Sequence, residues 1–147
     1  MLFRSWIDIN RTAHIGPAPQ AYRDQYQAVR EVFETIVARL RAGANTAEIC
    51  EFRDIPAAKK LDPPDKLLVV AHSVGLVPLE SPVRYPGTGL HGAKEGFTAE
   101  PGMVISIDCL YFGSGLGPSH MENVFIVTDT GSEPLYQFPL ELTETGT

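Results

Sequence analysis

Two stretches, residues 103–108 and 122–127, constrain the fold of this chain most strongly. In the first stretch, apolar and polar side chains alternate with the period of a β-strand, and in the second Glu122 shares a face with alternate apolar residues. The glycine-rich residues 113–119 between them predict a loop, so the two strands should form a hairpin. Asp108 on the first strand and Glu122 on the second can then project from the same face of the sheet.

This pair of carboxylates has two interpretations. Most strand carboxylates lie on the solvated face of an antiparallel sheet, and the hairpin taken alone favours that interpretation. The alternative is a binding or catalytic site built across two neighbouring strands. The remaining candidate residues decide between the two.

The helices and loops are predicted from spacing and turn chemistry. Apolar residues spaced three and four apart predict a long helix over 20–42. Asn45, with a glutamate three residues later, indicates the start of a shorter helix. Residues 53–66, which contain D-P-P-D at 62–65, are predicted to be loop, or a frayed helix end followed by loop. Proline and glycine predict turns over 78–82 and 85–89, and the tail 141–147 is expected to be frayed.

Three further strands are predicted. Alternation over residues 3–12 indicates a strand with Asp8 on its polar face, where an aspartate is unfavourable unless it meets water or a partner. The apolar run 67–72 predicts a buried strand that ends at His72. A short edge strand is expected within 133–139, where proline bounds it.

Composition limits the class of protein. The chain has 147 residues, which suits one domain, with 44% hydrophobic and 20% charged residues. A net charge of −6 and the lack of a lysine and arginine cluster disfavour nucleic acid as a partner. We therefore expect an ordinary globular protein without a nucleic-acid partner.

Cysteine usage and hydropathy bear on the compartment. Cys50 and Cys109 are far apart in the sequence, which predicts neither a disulfide framework nor a thiolate zinc site. The N-terminus lacks a signal-peptide pattern, and the longest apolar run, 67–79, is interrupted and too short to cross a bilayer. We expect a cytoplasmic protein without a membrane partner.

Four potential metal ligands lie on or at the end of predicted strands, where each residue type is unusual. They are Asp8, His72, Asp108 and Glu122. Carboxylates with one imidazole suit divalent manganese, iron, cobalt or zinc. Such an ion can lower the pKa of a bound water and polarise a carbonyl, so these residues indicate a divalent-metal site.

The order of these elements resembles the catalytic domain of the pita-bread metallopeptidases, the group of creatinase, aminopeptidase P and prolidase. Four segments between about residues 6 and 135 carry the resemblance: D-I-N-R-T at 8–12, H-S-V-G-L at 72–76 with E-S-P at 80–82, P-G-M-V-I-S-I-D at 101–108, and E-N at 122–123 with V-T-D-T-G at 127–131. In the same order, the first resembles the family strand that carries a metal-binding aspartate and ends in R-T, and the second resembles the metal histidine in H-G-I-G-L with its later H-E-x-P. The third resembles the family's P-G-M-V-x-S-I-E-P, and the fourth its R-x-E-D with V-T-x-x-G.

The resemblance implies an α+β fold, in which a curved, mainly antiparallel sheet carries helices on its convex face and a pocket on its polar face. It implies one or two divalent ions and hydrolysis of a small Xaa-Pro-like peptide or amide. Asp108 or Glu122 would accept the proton of the attacking water. Substrate-binding roles are expected for Glu80, His91 and His120.

The chain departs from the family pattern at several positions. The family's first metal-binding glutamate is Asp108 here, a second histidine is replaced by Leu79, and His120 stands where arginine is common. The family's first aspartate would fall before Met1, so we expect a single truncated domain over residues 1–147. The departures leave two alternatives open: a lyase of the dimethylsulfoniopropionate type, and a catalytically silent binding module.

Self-association is a further expectation. A shortened sheet would leave an unpaired edge near the N-terminal strand, and a second copy of the chain could cover it. We therefore expect a homodimer or a higher oligomer.

Overall fold

The computed structural model describes residues 5–86 and 94–146. Within this part of the chain the strands are β1 (Ala13–Ile15), β2 (Leu67–Ser73), β3 (Glu80–Arg84), β4 (Val104–Tyr111), β5 (Ser119–Val127), β6 (Ser132–Pro134) and β7 (Thr143–Thr145). The α-helices are α1 (Gln20–Arg39) and α2 (Thr46–Ile49), and 3-10 helices cover Pro56–Lys60 and Pro64–Lys66. None of these helices is both long and apolar enough to cross a membrane.

The central element is an antiparallel sheet with the strand order β3-β2-β4-β5-β6. Because side chains alternate across each strand, the sheet separates two kinds of residue onto its two faces. Ile105 and Ile107 of β4 are fully buried on one face. Ser106 and Asp108, between and beside them, lie on the other. The alternation of apolar and polar residues in the sequence therefore corresponds to the two faces of the sheet, one in the core and one polar.

Helix α1 covers the apolar face of the sheet. Its residues Val29, Phe33 and Ile36 recur at helical spacing and are almost completely buried. The Phe33 ring lies 6.3 Å from the ring of Phe125 on β5. Burying side chains of this size contributes roughly 1.5–3 kcal/mol each, so the helix fixes the sheet from one side. The opposite face is left free to carry polar groups.

The predicted α+β class is confirmed, and so are both helices and the central hairpin. Helix α1 ends three residues earlier than expected, because Leu40 adopts an extended ψ of 114°. The Asn45 side chain accepts a hydrogen bond of 2.8 Å from the N–H of Ala47 at the start of α2. In the hairpin, Asp108 and Glu122 are direct cross-strand partners.

The predicted strand over residues 3–12 is wrong for its described part, residues 5–12, which contains no strand. The hydroxyl of Tyr136 accepts from the N–H of Val124 at 3.2 Å and donates to the carbonyl of Asp8 at 2.6 Å. This hydroxyl takes the place of a direct bond between the two backbones. Asp8 therefore stays beside β5 without joining its ladder, and pairing is limited to an isolated bridge between Asn10 and Glu122.

Other local predictions are wrong, and in two of them pairing with another strand overrides the local composition. Residues 80–82, expected to lie in a turn, begin strand β3, whose Pro82 is tolerated because β3 is an edge strand. The tail expected to be frayed contains β7, which pairs in parallel with β1. The predicted loop over 53–66 contains both 3-10 helices, and the last edge strand is shorter than 133–139.

Arg11 links the N-terminal segment, β5 and the segment after β6. Its guanidinium donates to the carbonyl of Glu122 at 2.7 Å and to the side-chain oxygen of Asn123 at 2.6 Å. It also donates to the carbonyls of Phe138 and Pro139, and it lies 5.6 Å from the centre of the Phe138 ring. One cation therefore satisfies carbonyls on separate segments that have no ladder between them.

We expect Arg11→Ala to lower the free energy of unfolding by about 2–4 kcal/mol, because several charge-assisted hydrogen bonds are lost together. Urea denaturation measures this. Arg53→Ala is the matched control, because Arg53 also lies over an aromatic ring, that of Phe52 at 5.5 Å, but is exposed. The control should change the free energy by less than about 0.5 kcal/mol, and equal losses in the two variants would contradict the prediction.

Candidate metal centre

Three neighbouring strands bring the candidate ligands together on the polar face. His72 is the penultimate residue of β2, Asp108 lies within β4, and Glu122 lies within β5. The register places Asp108 opposite Val70 on one side and opposite Glu122 on the other. His72 lies two residues along from Val70, so its ring reaches the same face. The long-range pairing of these strands creates a cluster that no local segment contains.

Two carboxylates lie between two imidazole rings in this cluster. His72 Nε2 is 3.6 Å from Asp108 Oδ2 and 3.6 Å from Glu122 Oε1. His120 Nε2 is 2.7 Å from Asp108 Oδ1 and 3.9 Å from Glu122 Oε2. Each carboxylate therefore directs one oxygen toward each histidine.

The cluster is largely removed from water. His72 and Glu122 are buried, while Asp108 and His120 are half-buried. Glu122 Oε1 accepts a hydrogen bond of 2.8 Å from the hydroxyl of Ser106, itself fully buried. Buried charges require compensation by partners, so this arrangement stays folded only where positive charge balances the carboxylates.

The pKa values reflect this crowding. Burial works to lower the pKa of His72, but the two facing carboxylates outweigh it and raise the pKa to about 10. Burial alone would raise the pKa of Asp108, yet His120 and His72 bring that pKa below its usual range. Burial, together with repulsion from Asp108, raises the pKa of Glu122. The two carboxyls are thus driven in opposite directions by their surroundings.

The donor set fits a divalent cation. His72 Nδ1 lies 3.1 Å from the carbonyl oxygen of Ser73, and because a carbonyl only accepts, Nδ1 carries the hydrogen. With Nδ1 occupied in this way, Nε2 is the nitrogen that faces the two carboxylates, and once it gives up its proton its lone pair and their oxygens can bind the same cation. A second hydrogen bond that fixes the tautomer is also the usual environment of a metal-binding histidine.

Asp8 joins the same region from the N-terminal segment. One of its carboxylate oxygens lies within 4.8 Å of donor atoms of His72 and Glu122. Asp108, His120 and Glu122 form a second group with the same spacing. The structure therefore brings together the residues that the sequence proposed as metal ligands, and adds His120 to them.

The remaining predicted site residues lie elsewhere. Glu80 accepts hydrogen bonds from the backbone N–H groups of Leu76 and Val77 at 2.6 and 3.1 Å, so its carboxylate holds the preceding turn. His91 lies outside the described residues. Leu79 is 44% exposed. The substrate-binding roles expected for Glu80 and His91 stay predictions.

Two residues near the cluster were not among the sequence candidates. Ser106 lies two residues before Asp108, and the alternation of β4 could have identified it as a neighbour on the same face. Tyr136, which holds the backbone of Asp8, gives no such signal. Its contact depends on how the segment after β6 folds back across β5.

A comparison with protein-family models matches residues 4–129 to metallopeptidase family M24. The chain belongs to this family. The M24 match covers the segments that supply Asp8, His72, Asp108 and Glu122, so the candidate ligands lie within the matched region. A search of curated proteins finds no match.

Solved structures similar to the chain include a dipeptidase from Pyrococcus horikoshii OT3, with a TM-score of 0.78 and 19% identity over 96% of this chain. The prolidase from Pyrococcus furiosus has a TM-score of 0.74 and 22% identity over 92% of this chain. Dipeptidase PepE from Mycobacterium ulcerans has a TM-score of 0.72 and 23% identity over 95%. The chain spans 38%, 38% and 36% of those proteins, respectively.

We expect metal binding near neutral pH to release about one proton, because ligation needs the neutral imidazole of His72 while its pKa of about 10 keeps it protonated. The apparent affinity should rise as the pH is raised toward 10. Calorimetric titration of Co²⁺ in two buffers with different ionisation enthalpies measures the released proton. Metal titrated into each buffer alone is the control, and binding heats that do not depend on the buffer would contradict the prediction.

Proposed function

We propose that this chain supplies the metal-binding site of a hydrolase that cleaves a small Xaa-Pro-like peptide or amide. The observation that carries the proposal is the convergence of His72, Asp108 and Glu122 on the polar face of an M24 sheet. Similarity to a prolidase and to dipeptidases supports peptide hydrolysis as the reaction class.

Asp8, His72, Asp108 and Glu122 would hold the ion. Manganese, cobalt, iron and zinc are all compatible with three carboxylates and an imidazole. When bound, such an ion lowers the pKa of a coordinated water and polarises a carbonyl. The protein's own contribution is to orient the donors, exclude bulk water and accept protons.

Glu122 is the better candidate for the proton acceptor. Its raised pKa brings it closer to neutrality, where a general base is most effective. The hydroxyl of Ser106 donates to Oε1 and so fixes the orientation of the carboxylate. Asp108, whose pKa is lowered, stays ionised and supplies negative charge beside the reaction centre. Glu122 can therefore act as the base, while Asp108 provides the electrostatic interaction.

We expect Glu122→Gln to lower turnover of Xaa-Pro dipeptides by at least about 100-fold, because the proton acceptor is lost while the shape is kept. Activity is measured with the protein supplied in turn with Mn²⁺, Co²⁺, Fe²⁺ and Zn²⁺. Glu133→Gln is the matched control, because Glu133 is an exposed glutamate on the neighbouring strand β6. Equal activity of Glu122→Gln and wild type would contradict the proposed role.

The same assay separates the alternatives. Turnover of dimethylsulfoniopropionate without dipeptide hydrolysis would indicate the lyase. Folded protein that binds none of the metals and turns over neither substrate would indicate the silent binding module. Fold similarity does not choose among these outcomes, because related sheets support different chemistry.

Self-association also belongs to the proposal. Trp6 and Leu76 are 59% and 79% exposed, and the N–H of Trp6 donates to the carbonyl of Gly75 at 2.8 Å, which places these two apolar side chains on neighbouring segments. Val77 and Leu79 beside them are also exposed. An apolar surface of this kind is typical of an interface between proteins, and a second copy of this chain would cover it.

We expect the double variant Trp6→Ser with Leu76→Ser to reduce self-association, because it removes the two most exposed side chains of this surface. Light scattering coupled to size-exclusion chromatography gives the mass. Phe112→Ser with Leu116→Ser is the control, because these residues are 61% and 45% exposed at a different site. A wild-type mass equal to the monomer would overturn the proposal.

A further inference from the structure

We infer that His120 is a ligand of the metal centre and supplies it with a second imidazole nitrogen. The inference rests on the proposed metal-dependent function. It goes beyond that function because the ligands proposed above are Asp8, His72, Asp108 and Glu122, whereas the sequence predicted a substrate-binding role for His120. The proposal therefore adds a second imidazole to that set.

The carboxylate oxygens divide between the two histidines. Asp108 directs Oδ2 to His72 and Oδ1 to His120, and Glu122 directs Oε1 to His72 and Oε2 to His120. Two sets of donors result, each with one nitrogen and one oxygen from each carboxylate. A metal ion beside His120 would thus have the same types of donor atom as a metal ion beside His72: one imidazole nitrogen and two carboxylate oxygens.

The distances in the His120 set are compatible with a shared ion. Ligand bonds of about 2.0–2.2 Å place two donors of one ion no more than roughly 4.4 Å apart. His120 Nε2 lies 2.7 Å from Asp108 Oδ1 and 3.9 Å from Glu122 Oε2, both inside that limit. The donors therefore need only small adjustments to surround one cation.

The backbone holds the His120 ring in this place. His120 pairs with Leu110 of β4 on one side. On the other side its N–H donates to the hydroxyl of Thr12 at 2.8 Å, and that hydroxyl donates to the carbonyl of His120 at 3.2 Å. Since His120 and Glu122 are two residues apart on β5, their side chains share one face. The imidazole is thus positioned by strand pairing and not by a mobile loop.

The chemical consequence is a change in metal preference. Imidazole favours zinc, cobalt and iron, whereas a set dominated by carboxylates suits manganese. A centre with nitrogens from both His72 and His120 should therefore favour Zn²⁺ and Co²⁺ over Mn²⁺ more strongly than a centre with one. The competing interpretation is that His120 only donates a hydrogen bond to Asp108.

His120→Gln separates the two interpretations, because glutamine keeps an N–H that can reach Asp108 but lacks a nitrogen lone pair for a metal. His14→Gln is the matched control, since the His14 ring lies outside the cluster, with Nδ1 3.0 Å from the carbonyl of Gly16. The probes are Zn²⁺, Co²⁺ and Mn²⁺ salts added to purified protein. Equilibrium dialysis with elemental analysis gives affinity and stoichiometry, and circular dichroism of the metal-free proteins verifies folding.

We expect His120→Gln to bind Zn²⁺ and Co²⁺ at least about 10–100-fold more weakly, or to lose one equivalent of ion, with a smaller loss for Mn²⁺. The absorption spectrum of the Co²⁺ protein should change as well, because a nitrogen leaves the coordination sphere. The His14→Gln protein should match wild type in all three readouts.

The outcomes distinguish this inference from the proposed function. If His72→Gln loses metal while His120→Gln binds all three ions as wild type does, His120 is not a ligand and only this inference fails. If the folded wild type binds none of the ions, the metal centre and the inference fail together. If the His120→Gln protein does not fold, the His120→Asp variant is tested instead. Its oxygen donor should allow metal binding with the preference shifted toward Mn²⁺, and an unchanged metal preference would overturn the inference.

Discussion

The arrangement of the polar face depends on one unfavourable contact, the placement of Asp108 directly opposite Glu122 on adjacent strands. Like charges at this position repel, and burial strengthens the repulsion. Two imidazoles reach the pair from β2 and β5 and lie close enough to balance the charge. A site that requires added positive charge to be stable is well suited to hold cations.

The opposite face of the sheet makes this arrangement possible. Helix α1 packs against β4 and β5 through buried apolar side chains, so the strands are held without help from the polar residues. Arg11 and Tyr136 then tie the N-terminal segment to β5, and that segment carries Asp8. The apolar core thus supplies the stability, and the polar face is free to collect groups that would destabilise a sheet by themselves.

Local patterns predicted the parts of this protein in which side-chain period and burial agree. The helix α1, the cap at Asn45 and the hairpin that carries Asp108 and Glu122 follow from spacing alone. Prediction was wrong over residues 5–12, in β3 and at β7, where contacts with other segments of the chain decide the outcome. Local composition does not predict that the Tyr136 hydroxyl bonds to two backbone segments. It also does not predict that β1 and β7, near the two ends of the described chain, pair in parallel.

The sequence by itself determined which residues could be ligands and which face of each strand they would occupy, because alternation is a property of the strand. It also led to family M24 through short motifs in the right order. Only the tertiary structure decided that His120 belongs with the carboxylates while the Glu80 carboxylate holds a turn. The reason is that alternation fixes the face of a side chain, whereas the register between strands and the fold of the loops fix its neighbours.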